Sequence, residues 1–167
     1  MTDTLTAIMD AAERRIRAAG YHGFSYREVA ADVGVKAASV HYYYPSKDAL
    51  AAAVARRYND RIVEMVGRAT AAGTNVVEAW RGVFRTALID GARMCLCGAL
   101  GATASDLTPA VRDEVRRFFA LGVESLVAGG LAKDDAIRIL AQLEGAILMA
   151  SAHEDSSLFD AATENLE

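Results

Sequence analysis

The side chains with the clearest chemical bias lie between Ser25 and Leu50, in SYREVAADVGVKAASVHYYYPSKDAL. Lys36, Ala37, Ser39, His41, Tyr42 and Tyr43 fall on the outward side of one short helical stretch. Hydroxyls and an ammonium suit phosphate oxygens, and small residues let a helix sit deep in a major groove. Ala37 and Ala38 can offer a base edge only shape or a methyl contact with thymine. Polar readout therefore falls to Arg27, Lys36, His41 and Tyr43. Arg27 carries a planar fork that can reach a guanine edge or a phosphate.

Other candidates lie in the second half. Glu144 shares the apolar side of a helix expected over 133–153 with Leu140, Ile147 and Leu148. A buried carboxylate needs a partner. Arg81, Arg85 and Arg93 can supply one, and so can a cationic or hydroxylated ligand. Trp80, Phe84, Met94, Phe118 and Phe119 have the spacing of an ordinary core, and also the chemistry to line an apolar cavity between helices, with Cys97 beside them. Cys95 and Cys97 are two apart on an expected helix and point about 200° from each other, which disfavours a disulfide between them. Two Cys and three scattered His give no zinc pattern. Gly98 and Gly101 form only a G-x-x-G in a helical context. With no phosphate loop, nucleophile elbow or paired acids, no enzyme, cofactor or metal is expected.

The elements that must hold these groups read as all-α. Apolar residues make up 53% of the 167, only two residues are Pro, and no stretch alternates like a strand. Ser25 and Glu28 form a capping box, in which the Ser hydroxyl accepts the Glu28 N–H and the Glu carboxylate reaches back to the Ser25 N–H. Val29, Ala30 and Val33 make a small apolar stripe, and Gly34 can take the left-handed conformation that ends the helix. A second helix over 36–42 is anchored by Val35 and Val40, and Pro45 stops it. Ser46 caps the next. Two short helices around a Gly turn have the helix-turn-helix shape.

A helix over 3–19 precedes them, with Leu5, Ile8, Ala12, Ile16 and Ala19 inward and Glu13, Arg14 and Arg17 outward. Tyr21 and Phe24 plug a three-helix head. Further helices are expected from Ser46 to about 70, over 75–93, over 94–104, from Pro109 to the Gly129-Gly130 pair, over 133–153 and over 156–166. The helix over 133–153 is apolar on two adjoining sides and needs cover from more than one direction, which its own body and a second subunit can supply. The head is taken as 1–48 and the body as 49–167.

The net charge of −4 is unevenly distributed. Residues 1–68 hold ten Lys/Arg against eight Asp/Glu, and residues 69–167 hold eight against fourteen. A positive head and a negative body fit a chain whose first part approaches phosphate. No apolar run approaches the ~20 residues that span a bilayer. The first residues lack the basic start and apolar core of a signal peptide, so a cytoplasmic protein is expected.

The stretch GFSYREVAADVGVKAASVHYYYPSKDAL resembles the DNA-binding signature of the TetR family of one-component regulators. Gly34-Val35, Ala38-Ser39, the Tyr42-Tyr43-Tyr44 aromatics, Pro45-Ser46-Lys47 and Leu50 carry the resemblance, which covers roughly residues 5–55. His41 stands where the family usually has Tyr. The resemblance implies DNA contacts from Ser25, Tyr26, Arg27, Lys36, Ala37, Ala38, Ser39, His41, Tyr42, Tyr43 and Lys47, with Lys47 on phosphate and Tyr44 in the head core. It also implies a homodimer on a palindromic operator, a small-molecule inducer in the body, and a long fourth helix acting as connecting rod. The CLCGALGA run is similar to a branch of the family with a Cys-Leu-x-Gly segment, some of whose members sense electrophiles through Cys.

Overall fold

A computed structural model describes residues 3–92 and 94–166. The chain divides into two compact units. One takes the chain up to Tyr58 together with Leu96–Val115, and the other takes Asn59–Cys95 with the chain from Arg116. Nine α-helices and no strand occur among the described residues. None of these helices is long and apolar enough to cross a membrane.

In the first unit α1 (Thr4–Ala19) buries Ile8, Ala11, Ala12 and Ile16. The expected outward face is only partly outward. Glu13 and Arg17 are buried, and Ala19 is exposed. Buried charges persist only with partners. Glu13 Oε2 accepts from Arg57 at 3.1 Å, Arg57 also meets Asp10 at 2.8 Å, and Arg17 lies 3.8 Å from Glu13. Helix α2 (Tyr26–Val33) and helix α3 (Ala37–Tyr43) follow. Ser25 caps α2 by accepting the Glu28 N–H at 3.4 Å. The return contact differs from a standard box: the Ser25 hydroxyl donates to the Glu28 carboxylate at 2.7 Å. Gly34 ends α2 at φ 76°, the left-handed region that favours glycine. Val40 is the buried anchor of α3. Ser46 Oγ accepts the Ala49 N–H and so starts α4 (Lys47–Ala71). Helix α6 (Leu96–Gly101) packs against α1. A 3-10 turn at Ala104–Asp106 brings the Asp106 carboxylate 3.2 Å from His22 Nε2.

In the second unit the helix expected over 75–93 is shorter. Asn75 caps α5 (Val76–Ala87), and the backbone then widens into a π turn at Leu88–Ala92. The helix expected over 94–104 is shorter as well: α6 begins at Leu96, so Cys95 precedes it and the angular argument about two cysteines on one helix does not apply. Neither cysteine is in a disulfide, and both are buried. Helix α7 (Pro109–Ala128) sends its later turns here, with α8 (Lys133–His153) and α9 (Ser157–Thr163). Trp80, Phe84 and Phe118 form one cluster, with ring centroids 6.0–6.5 Å apart. Phe159, Leu126 and Leu143 are fully buried as well. Gly122 lets α7 and α8 approach closely: a Cβ there would lie 2.7 Å from Leu140 Cδ1 and would make that side chain shift.

Candidate nucleic-acid interface and ligand site

The outward side of α3 follows the sequence pattern. Lys36, Ala37, Ala38, His41, Tyr42 and Tyr43 are exposed, and Ser39 is half-buried. Tyr42 is 84% exposed, an unusual state for a large aromatic ring. It meets Tyr43 edge-to-face, with centroids 5.3 Å apart. Arg27 is exposed and makes no hydrogen bond or ion pair among the described residues. A surface hollow of about 470 Å³ borders this face, lined by Lys36, Ser39, Tyr42 and Tyr43 with Thr4 of α1. Thr4 lies 32 positions before Lys36, and no local spacing rule points to it.

Two expected contacts are engaged inside the head. The half-buried Tyr26 donates its hydroxyl to the Tyr44 carbonyl at 2.7 Å, and its ring lies edge-on to His41 at 4.3 Å. Burial pushes the Tyr26 hydroxyl up to about 12, so it stays a donor at neutral pH. The Lys47 ammonium sits over the rings of Tyr21 and Phe24, 4.5 and 4.7 Å from their centroids. Burial lowers its pKa. Tyr21 in turn donates to Asp48. Lys47 thus packs its charge on aromatic faces, a use of the side chain that its position after Ser46 does not announce. Ser25 is exposed but spends its hydroxyl on the cap.

In the body, Phe84 and Phe118 are fully buried against Trp80, as an ordinary core would have them. Phe119 is half-buried beside Phe118, with centroids 5.3 Å apart. Met94 is half-buried. Cys97 belongs to the first unit and is fully buried there. The arginines expected to pair with Glu144 are used elsewhere. Arg85 holds Asp160 at 2.7 and 3.0 Å, and Arg81 holds Thr163 at 2.9 Å. Arg93 lies outside the described residues. Glu144 is instead hydrogen-bonded to Cys95, and its Oε1 is buried with no partner. The residue as a whole is partly exposed, but ionisation answers to the buried carboxyl. Burial pushes it up to about 7.

A larger cleft, about 710 Å³, opens elsewhere in this unit. Val63, Val66 and Gly67 of α4 form one wall, and Leu121 and Ser125 of α7 form another. Of the residues expected to line a ligand site, only Trp80 borders it. Trp80 donates its Nε1–H to Ser125 at 3.1 Å. No group of three or more potential metal ligands occurs among the described residues.

Comparison with known proteins agrees with this geometry. The family described as bacterial regulatory proteins, tetR family, matches residues 8–54. No curated protein matches. A TetR transcriptional regulator from Legionella pneumophila has the same fold, with a TM-score of 0.90 at 24% identity over 99% of this chain and 96% of that one. A TetR-family transcriptional regulator from Agrobacterium tumefaciens is 25% identical, with a TM-score of 0.87 over 96% and 94%. A TetR-family member from Streptomyces coelicolor A3 is 27% identical, with a TM-score of 0.75 over 98% and 96%. The helix-turn-helix thus lies within the residues that match the tetR family, and the fold of the chain is that of the solved TetR-family regulators.

Proposed function

We propose that this chain is a regulator of the tetR family, a ligand-responsive repressor that reads a palindromic operator as a homodimer and releases it on binding a small, mostly apolar inducer. The observation that carries the reading is the outward side of α3. Slim residues flank Lys36, Ser39, His41, Tyr42 and Tyr43, and Arg27 stands unengaged on α2. In this reading residues 1–48 read DNA, and residues 49–167 bind ligand and dimerise. Two copies of α3 enter successive major grooves about 34–36 Å apart. The exposed Ile137, Leu148 and Met149 on α8 give the second subunit an apolar surface to cover. Ligand acts on α4 and changes the spacing of the two heads, through its different affinity for the two arrangements. Such a protein works in the cytoplasm, where the promoters are.

Selection from a random duplex pool at moderate salt tests the reading. Enrichment of a palindrome with two half-sites supports it, and salt-sensitive binding without enrichment refutes it. A second reading is electrophile sensing by Cys95 or Cys97. The Cys95–Glu144 hydrogen bond favours it, because above about pH 7, where the carboxyl ionises, Glu144 can accept the thiol proton, and the burial of both thiols weighs against it. An unchanged response to electrophiles after both cysteines are replaced by Ser removes it.

A further inference from the structure

We propose that the cleft walled by α4 and α7 binds a small organic monocation with an apolar body, and that Glu124 is the group that selects its charge. The inference rests on the reading of the body as a ligand sensor and adds the place and the ligand class. The volume, about 710 Å³, suits a drug-sized molecule. Val63 and Leu121 supply the accessible apolar contact, with the buried Val66, Val76 and Trp80 behind them.

Accounting for the polar groups decides the charge. The Trp80 N–H is committed to Ser125. The Thr70 hydroxyl donates to the carbonyls of Val66 and Gly67 at 3.1 Å, and Asn75 Oδ1 accepts the Val77 N–H. Among the described residues, Glu124 is the only charged side chain in the lining. It makes no hydrogen bond or ion pair among the described residues. No Lys, Arg or His among the described residues lines the cleft, so an anion would meet one carboxylate to repel it and no described cation to neutralise it. The N-terminus of α5 at the rim would favour an anion, but the Asn75 side chain and Glu78 in the first turn already serve it. An ammonium on an apolar skeleton pairs with Glu124 while its body displaces water from Val63 and Leu121.

The chain has one tryptophan, and it borders the cleft, so its fluorescence reports occupancy without DNA. The probes are 4-phenylbutylammonium, 4-phenylbutanol and 4-phenylbutanoate, which share a body and differ in charge. The ammonium is expected to saturate at about a fivefold lower concentration than the alcohol, as a partly exposed charge pair provides. The carboxylate is expected to bind no better than the alcohol. Glu124→Gln should erase the preference for the ammonium and leave the alcohol unchanged. A Cβ at Gly67 meets nothing within 4 Å, so Gly67→Leu keeps the helix and fills the cleft, and should abolish binding of all three. The proposal is overturned if the carboxylate binds as well as the ammonium, if Glu124→Gln leaves the preference intact, if Gly67→Leu still binds, or if no probe saturates. Because no DNA is present, failure here leaves the operator reading standing, and failure to enrich an operator leaves this one standing.

Discussion

Replacing Glu144 with Gln should change how stability depends on pH more than it changes stability itself. The wild-type carboxyl is pushed from its ordinary 4.5 up to about 7 by burial, with the hydrogen bond from Cys95 only partly opposing this. In the unfolded chain the group loses its proton near 4.5, and in the folded chain it keeps it to about 7. Between those values the folded state binds more protons, so stability falls as pH rises through the window and levels off above it. The gap between 4.5 and about 7 corresponds to about 3 kcal/mol at pH 8. Gln has the same shape, retains an acceptor for the Cys95 thiol and has no charge to bury. The variant should match wild type near pH 4.5 and exceed it at pH 8 by up to about 3 kcal/mol, or roughly 6–12 °C in melting temperature for a chain of this length. Thermal unfolding of both proteins at one protein concentration, from pH 4.5 to pH 8, reads the difference directly. Parallel pH profiles would refute the reasoning, because they would mean that the carboxyl reaches water or a cation in solution.

Arg27→Ala should relax selection at one or two operator positions, at a cost of about 1–3 kcal/mol if the fork reads a base, measured by repeating the selection with the variant. Lys47→Ala should weaken all duplexes alike and also lower the melting temperature of the free protein, since the ammonium packs on Tyr21 and Phe24. Loss of DNA affinity with no loss of stability would show that the aromatic contact contributes nothing. Ser25→Ala removes the α2 cap and should cost about 1 kcal/mol, roughly 2–4 °C by calorimetry. Phe118→Ala should cost about 3–5 kcal/mol in denaturant titration, because the ring is fully buried between Trp80 and Phe84.

What was legible in the sequence was local. Ser25, Gly34, Val40 and Ser46 each act within four residues, and together they place α2, the turn, α3 and the start of α4. The outward side of α3 was legible for the same reason. Glu13 and Arg17 read as surface residues because nothing near them announces Arg57, which is 40 or more positions away. Lys47 shows the same limit, since its partners Tyr21 and Phe24 belong to another element. The aromatic set of the body was read correctly in kind, but Phe84 and Phe118 pack as core. The cleft lies beside them, where α4 and α7 leave space, and its charged residue Glu124 looks on the helix like any solvated acid.

The affinity of the protein for its enriched palindrome, relative to a scrambled duplex of equal length at physiological salt, tests sequence reading by α3 most directly. A sequence-reading dimer should prefer the palindrome by about a thousandfold or more. A ratio near one would mean that the head holds DNA by charge alone, and would contradict the account.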